Sequence, residues 1–381
     1  MHLNQHSPEI VLLITARDPA TAFTVCVLLK TLDKDERFRV HIAAQHPAYE
    51  IFKKNIVASK VTLYKFSEFQ NDDLMLETAH NLLLEISPDV ILTGISGPDY
   101  GLDEAMLSIA PKSKYGPYAL QSYWGDINKN LSGRAKTYFV NDSFAARLTH
   151  KRTTGHINIV GSLKHELYSD IDIKYLRDNF RDSLCKNSKV NIIGFYGQPL
   201  EDINGYKETI LSFSQSILEL ENDILIVYRP HQKESQDLQK WTKEKLQLSG
   251  KELVLDNNEE IEPSLCGCDI IVSAFSTCCY DAQQLIKSSL TPLGIPVYLM
   301  FNPHLVDWYK KYTKLDNIPM TESGMAVEIT DSTTMTQTMS SMFGYESQRA
   351  CWESIRNHFP DSMNASKNIV NVIYKNYKNE I

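Results

Sequence analysis

Residues 9–15 read Glu9-Ile10-Val11-Leu12-Leu13-Ile14-Thr15, a short apolar run that is typical of a strand buried on both faces of a parallel sheet. Asp18-Pro19 follows and favours a helix start, because proline fits the first helical turn. Strand-like and helix-like segments then alternate as far as Val140. This alternation predicts an α/β unit built around a parallel sheet.

The same pattern starts again in the middle of the chain, at Val190-Asn191-Ile192-Ile193-Gly194-Phe195-Tyr196-Gly197, and continues to a strand-like run that ends at Met300. A polar, charged stretch between the two series is predicted to be a helical linker. A chain of 381 residues is long enough for two domains of ordinary size. The sequence therefore predicts the α/β class, with two Rossmann-like doubly wound parallel-sheet domains whose ligands bind at the carboxyl ends of strands.

Composition and charge exclude several classes of protein. The chain has 39 Lys and Arg against 47 Asp and Glu, a net charge of −8, which argues against a broad nucleic-acid surface but allows a phosphorylated small molecule in a local positive cleft. Apolar runs are too short for a membrane span. The seven cysteines fit neither a secreted disulfide framework nor paired zinc knuckles. We therefore expect a cytoplasmic protein without a bound metal.

Three loops in the second half follow predicted strands and carry groups suited to phosphate. Arg229 offers a planar donor fork, and His231 offers a donor at neutral pH. Ser273-Ala274-Phe275-Ser276-Thr277 precedes a predicted helix, whose free N–H groups favour anions. Gly197 and Gln198 follow the strand at Val190, where glycine lets backbone approach a ligand. Each loop also has a plainer interpretation, as a strand-end turn, a helix cap or a tight turn.

Acidic residues follow predicted strands in the first half. Asp99 and Asp103 lie in a Gly-rich loop after the strand at Val90, and Asp126 follows the next strand. Each could act as a general base. A solvated loop or a helix start explains Asp99 and Asp103 equally well, and Asp18 is most simply a helix cap. No spacing among these acids dictates a catalytic pair.

Several common motifs are missing. The sequence contains no Walker loop, no His-Glu-x-x-His helix and no Ser-His-Asp order. Gly-x-Gly-x-x-Gly is also missing after the first strand, which lowers the expectation of a nicotinamide enzyme.

Taken together, the segments resemble the two-Rossmann-domain glycosyltransferase B superfamily, which includes the UDP-N-acetylglucosamine 2-epimerases. Arg229-Pro230-His231 is similar to the His-Pro motif of bacterial transferases in this group, with Gln232 in place of its proline. The segments that carry the rest of the resemblance are Tyr138-Phe139-Val140-Asn141-Asp142, Ile159-Val160-Gly161-Ser162-Leu163-Lys164-His165-Glu166-Leu167, Ser273-Ala274-Phe275-Ser276-Thr277 and Asp361-Ser362-Met363-Asn364-Ala365-Ser366.

The resemblance implies an acceptor domain over residues 1–165, a linker over 166–188, a nucleotide-sugar donor domain over 189–350 and C-terminal helices over 351–381 that pack back on the first domain. His231 and Arg229 would face the donor phosphates. Their expected companions are Ser273, Ser276, Thr277, Gly197 and Gln198. The base would be Asp103 or Asp99, and after these Asp126.

The expected activity is transfer of a sugar from a nucleotide-activated donor to a hydroxyl of a small-molecule or glycan acceptor, in an interdomain cleft and without metal or cofactor. One alternative is a UDP-N-acetylglucosamine 2-epimerase-like enzyme, which the short, His-poor segment from Gln121 to Tyr138 disfavours. A second alternative is a non-catalytic nucleotide-sugar-binding protein on the same fold, which Gln232 keeps open.

Overall fold

The chain forms two compact units in a computed structural model that describes residues 9–56, 60–97, 99–110, 116–184 and 190–380. The first unit runs to Leu167 and resumes at Pro360, and the second unit is Tyr168–Phe359. Each unit contains one parallel sheet flanked by helices, so the predicted α/β class with two doubly wound sheets is confirmed. Residues 185–188 of the predicted linker lie outside the described residues.

The strands are numbered in chain order over the described residues. They are β1 (Ile10–Ala16), β2 (Phe38–Gln45), β3 (Val61–Phe66), β4 (Val90–Thr93), β5 (Tyr118–Leu120), β6 (Thr137–Val140), β7 (His156–Ile159), β8 (Asn191–Tyr196), β9 (Ile224–Arg229), β10 (Glu252–Leu255), β11 (Ile270–Ser273), β12 (Ile295–Leu299) and β13 (Val327–Ile329).

The α-helices are numbered in the same way. They are α1 (Pro19–Leu32), α2 (Ala48–Asn55), α3 (Asp72–Ile86), α4 (Leu102–Ile109), α5 (Ser143–His150), α6 (Leu163–Glu166), α7 (Ile173–Leu184), α8 (Tyr206–Leu218), α9 (Gln236–Gln247), α10 (Glu262–Gly267), α11 (Cys278–Ser288), α12 (Pro303–Thr313), α13 (Met335–Met342), α14 (Tyr345–His358) and α15 (Ala365–Glu380).

The sheet of the first unit has the order β3-β2-β1-β4-β5-β6-β7. Leu12 and Ile14 of β1 point to the face that α1 and α15 cover, where they share a core with Ile369. Leu13 points to the opposite face and packs in the core that Met106 of α4 joins. The alternation along β1 thus supplies apolar contacts to both faces, as a central parallel strand requires.

The sheet of the second unit has the order β10-β9-β8-β11-β12-β13. Its strand order reverses between β8 and β11, which makes their carboxyl ends the topological switch point of this sheet. Sequence patterns predict no element between Met300 and Tyr345, whereas the structure has α12, β13 and α13 there. β13 has only three residues and α13 only eight, which is too little periodicity to detect.

The predicted linker contributes a helix to the second unit. Arg177 and Arg181 of α7 each form an ion pair with Asp269 at the start of β11, at 2.9 Å. Phe180 packs against Gly267 of α10, at a point where a larger residue would clash with its ring. These contacts fix α7 to the second unit.

The predicted C-terminal segment divides between the units: α14 packs on α11 of the second, and α15 on α1 of the first. The return to the first unit is fastened by polar contacts. Glu166 accepts hydrogen bonds from the backbone N–H of Ser366, at 2.9 Å, and from its hydroxyl. The Ser162 N–H donates to the Ser362 hydroxyl at 3.0 Å. Glu166 therefore satisfies a first-turn N–H of α15, as a cap would.

Loss of the Glu166 carboxylate should weaken the packing of α15 on the first unit. We expect Glu166→Ala to lower the free energy of unfolding by about 1–3 kcal/mol, because the Ser366 N–H loses its partner. The measurement is urea denaturation, with Glu77→Ala, an exposed glutamate of α3, as the matched control. The control should stay within about 0.5 kcal/mol of the parent. An equal loss in both variants would contradict this role of Glu166.

Candidate functional site

The loops that follow β8, β9 and β11 meet at the carboxyl edge of the second sheet. The Gly197 N–H donates to the Arg229 carbonyl at 2.9 Å, which continues the β8–β9 ladder past the last strand residues. The buried side chain of Gln198 crosses to the β11 loop, where its Oε1 accepts from the Phe275 N–H at 3.0 Å. The structure therefore brings the predicted residues of all three loops to the switch point of this sheet.

The β11 loop is built by its serine hydroxyls. Ser273 Oγ accepts from the Ser276 N–H at 3.0 Å, and Ser276 Oγ accepts from the Cys278 N–H at 3.2 Å. Both serines are buried, whereas Thr277 is exposed. The serines thus shape the loop, and the exposed Thr277 stands at the amino end of α11, where the helix dipole favours an anion.

His231 is half-buried, and one of its ring nitrogens is already bonded. Its Nδ1 lies 3.0 Å from the Lys233 N–H and accepts from it. In the neutral ring the proton therefore sits on Nε2, which becomes a donor. Burial lowers the pKa of His231, and the nearby Lys233 charge lowers it further. His231 is accordingly a neutral Nε2–H donor at physiological pH.

Arg229 does not have the position expected of a phosphate ligand. Its guanidinium pairs with Asp256 at 2.8 Å and donates to the carbonyls of Asn258 and Glu259 at 2.8 and 3.2 Å. The side chain is only 14% exposed. The expected contact with phosphate is therefore corrected: Arg229 joins β9 to the loop after β10, because an acid far along the chain occupies its donor fork.

In the first unit, Asp103 is fully buried at the start of α4. Its carboxylate accepts from the Thr15 hydroxyl at 2.5 Å, the Ser96 hydroxyl at 3.0 Å and the Arg17 N–H at 3.2 Å. Burial raises the pKa of Asp103 despite these hydrogen bonds. The expected role as a base is corrected, because a carboxylate enclosed in this way ties the end of β1 to the loop after β4.

Glu104 completes this buried arrangement. It accepts from the N–H groups of Ser96 and Gly101, both at 2.9 Å. Burial, and after it the neighbouring Asp103, raises the pKa of Glu104 to about 8. Asp18 also reaches the loop: it accepts from the Gly97 N–H at 3.2 Å and makes no hydrogen bond to α1. The expected capping bond of Asp18 is therefore replaced by a contact across the sheet edge.

The two remaining acids differ in exposure. The side chain of Asp99 is 77% exposed and lies 3.7 Å from the Arg17 guanidinium. Asp126 is half-buried, and its pKa is raised to about 6, mainly by burial. Arg152 opposes this shift and Asp18 adds to it. A half-buried acid with a pKa of about 6, such as Asp126, suits a general base.

Comparison with solved structures finds close likeness in fold at low sequence identity. A UDP-GlcNAc 2-epimerase from Neisseria meningitidis, solved with UDP-GlcNAc, is 13% identical with a TM-score of 0.64, over 96% of this chain and 100% of that one. A glycosyltransferase from Rickettsia africae is 13% identical with a TM-score of 0.65, over 98% and 100%. MurG of Acinetobacter baumannii is 12% identical with a TM-score of 0.62, over 97% and 100%.

The chain has the glycosyltransferase B fold. The resemblance drawn from the sequence is thereby confirmed at the level of the fold. No protein-family model and no curated protein matches the sequence.

No three His, Cys, Asp or Glu side chains of the described chain group as ligands of a metal ion would. Among the same residues, no helix has the length and apolarity needed to cross a bilayer.

Glu234 is a residue of the candidate site that the sequence patterns do not predict. Glu234 is buried beneath the β9 loop, where it accepts from the His231 N–H and from the Tyr228 hydroxyl, the latter at 3.1 Å. It also packs against Gly197, where a side chain would clash with its carboxylate. Its position three residues after His231 is a signal for such a contact, since a turn returns at that distance. Glu234 thus positions two of the three loops.

Protonation of Glu234 should stabilise the folded state of this protein at low pH. Burial raises its pKa from 4.5 to about 7, so the folded chain holds this proton more tightly than the unfolded chain does. The stabilisation is fully present below about pH 4.5 and is lost as the pH rises through about 7. We expect Glu234→Gln, which mimics the neutral acid, to reduce the decline in the free energy of unfolding across this range.

The measurement is urea denaturation at several pH values between 4.5 and 8. Glu260→Gln, at an exposed residue of the same unit, is the control and should follow the parent profile. An unchanged slope in Glu234→Gln would show that this carboxyl does not hold the proton.

Proposed function

We propose that this protein is a glycosyltransferase that moves a sugar from a nucleotide-activated donor to an acceptor hydroxyl, with the donor phosphates at the carboxyl edge of the second sheet. The observation that carries the proposal is the meeting of three loops at the switch point, fastened by Gln198 to Phe275. There the Nε2–H of His231 and the hydroxyl of Thr277, at the amino end of α11, supply neutral donors for an anion.

The proposed reaction forms a bond between the acceptor oxygen and the anomeric carbon, while the bond from that carbon to the phosphate oxygen breaks. Negative charge then develops on the departing nucleoside diphosphate. Fixed donors aimed at this charge stabilise it more in the transition state than in the bound donor. His231 fits this role because its tautomer is set by the Lys233 N–H. We also propose that the reaction needs no bound metal ion.

We propose Asp126 as the base that takes the proton from the acceptor hydroxyl. Its pKa of about 6 leaves it mostly ionised at neutral pH and still basic enough to accept a proton. Asp103 is enclosed by its own hydrogen bonds, and Asp99 is an exposed partner of Arg17. Asp126 therefore replaces Asp103 as the first choice.

A UDP-N-acetylglucosamine 2-epimerase-like activity is the second candidate. It is favoured by the likeness to the Neisseria meningitidis epimerase, whose structure contains UDP-GlcNAc. Nuclear magnetic resonance of UDP-GlcNAc incubated without acceptor separates the two reactions, since an epimerase inverts the sugar at C2 and a transferase leaves it unchanged. Binding of the nucleotide sugar with neither epimerisation nor sugar transfer would instead support the non-catalytic alternative.

The donor site is tested by a thermal-shift panel of UDP, GDP, ADP, CDP and CMP, with and without magnesium. A nucleotide at about 100 times its dissociation constant should stabilise the fold by about 2.7 kcal/mol. We expect the nucleotides of one base to raise the melting temperature, both with and without magnesium. His231→Ala should weaken that nucleotide about tenfold to a hundredfold, the effect of losing one hydrogen bond to a charged group.

The control for this experiment is His80→Ala, at an exposed residue of α3 in the other unit, which should bind like the parent. If none of the five nucleotides raised the melting temperature, the proposed donor site would be contradicted. If His231→Ala bound the nucleotide as tightly as the parent, His231 would not belong to the donor site.

Asp126→Asn should lower kcat by about 10²–10⁴-fold while leaving nucleotide binding intact, because only proton transfer is lost. The parent rate should fall as the pH drops below about 6, where Asp126 gains its proton. Asp99→Asn is the matched control and should keep the parent rate and pH profile, since Asp99 is exposed. The assignment is reversed if Asp99→Asn loses activity and Asp126→Asn does not.

A further inference from the structure

Asp126 stands at the end of a short loop, residues 121–126, which follows β5 and which we call the β5 loop. The Gln121 N–H donates to the Phe139 carbonyl at 3.0 Å and so extends the pairing of β5 with β6 into the loop. The Asp126 N–H donates to the Tyr123 carbonyl at 3.2 Å. The first bond ties the start of the β5 loop to the sheet, and the second makes a turn at its end.

The side chain of Gln121, which is 2% exposed, ties the end of the β5 loop to its start. Its Oε1 accepts from the Gly125 N–H at 3.1 Å, and its Nε2 donates to the Asp126 carbonyl at 2.8 Å. Nε2 also donates to the Thr149 hydroxyl of α5 at 3.0 Å. These partners set the orientation of the amide, because a flipped amide would face N–H with N–H and oxygen with oxygen. Gln121 therefore holds the backbone before and after the Asp126 side chain and fastens it to α5.

Arg152, in the loop after α5, fastens the β5 loop from the other side. Its Nη1 donates to the Gly125 carbonyl at 2.5 Å, so the guanidinium lies against the peptide that joins Gly125 to Asp126. The β5 loop is packed closely on α5 at this point. A Cβ added at Gly125, whose φ is +65°, would lie only 2.7 Å from the Cβ of Leu148.

Two charged groups act on the Asp126 carboxyl in opposite directions. The pKa of Asp126 is raised to about 6, with burial as the largest cause; Arg152 lowers it, and Asp18, from the loop before α1, adds to the rise. Without the Arg152 charge, burial and Asp18 would act in the same direction. A larger share of the carboxyl would then be protonated at neutral pH and could not accept a proton.

We propose that Gln121 and Arg152 are positioning residues of the transfer reaction, which hold the turn that carries Asp126 and keep its carboxylate available to the acceptor hydroxyl. This inference rests on the proposed role of Asp126 as the base. A base must lie within hydrogen-bond reach of the proton it takes, and a misplacement of about 1 Å can slow a reaction about 100-fold. Both residues act through Asp126 and are not themselves catalytic residues.

The test is a nuclear magnetic resonance titration of the full chain with carboxyl-labelled aspartate, in which the Asp126 signal is identified by its loss in Asp126→Asn. Gln121→Met keeps a similar volume without the hydrogen bonds. We expect it to lower the pKa of Asp126 toward the ordinary value of 3.8, because the freed loop gains water. Arg152→Gln should raise that pKa by about 1 pH unit, because a favourable charge is lost. Arg152→Lys keeps the charge and should titrate close to the parent.

The matched controls are Gln70→Met and Arg39→Gln, at exposed residues of the same unit, and both should titrate like the parent. General loosening of the unit would lower the pKa of Asp126 in every variant. Opposite changes in Gln121→Met and Arg152→Gln therefore separate positioning from a merely structural role. A change in the same direction in both variants would overturn the proposal. An Asp126 pKa that stays at the parent value in Arg152→Gln would also overturn it, including the case in which Gln121→Met does not fold.

Rate measurements separate this inference from the proposed function. If Asp126→Asn keeps the parent rate, Asp126 is not the base, and the proposed function loses its base whatever the titration shows. If Asp126→Asn is slow, we expect Gln121→Met to slow the parent about tenfold to a hundredfold and to have little further effect in the Asp126→Asn background. Equal slowing in both backgrounds would show that Gln121 acts independently of Asp126 and would overturn its positioning role.

Discussion

Buried polar side chains hold the loops at the carboxyl edges of both sheets, and the candidate sites depend on them. In the first unit the carboxylate of Asp103 gathers the ends of β1 and β4. In the second, Gln198 spans the gap from the β8 loop to the β11 loop, and Glu234 supports the β9 loop from below. Such groups are costly to bury unless they are bonded, so each one restricts its loop to few conformations.

Burial of these polar groups also explains why the pKa values of the buried acids are raised. For the charged forms of Glu104 and Glu234, the free-energy cost of leaving water exceeds the gain from their N–H donors. The pKa of Glu104 is therefore raised to about 8 and that of Glu234 to about 7, with burial as the largest cause. His231 and Thr277 lie on the loops that this buried layer supports.

Sequence patterns predict the order of strands and helices well, because a central parallel strand such as β1 or β11 must be apolar on both faces. They also place the loops that carry Gln198, His231 and Ser276 correctly at the ends of strands. They fail where a partner is distant in sequence: Asp256 neutralises Arg229 from 27 residues away, and Thr15 encloses Asp103 from 88 residues away. Local spacing carries no trace of such pairs. Burial, which separates Asp126 from Asp99, is likewise a property of the folded chain.

The return of α15 to the first unit has a consequence for synthesis in the cell. Ile369 and Ile373 complete the core that α1 begins, yet about 190 residues of the second unit are translated in between. At about 5–20 residues per second, the ribosome needs about 10–40 s to cover that distance. During this interval the apolar face of α1 waits without its partner helix. The unit that is translated first is therefore the one that finishes folding last.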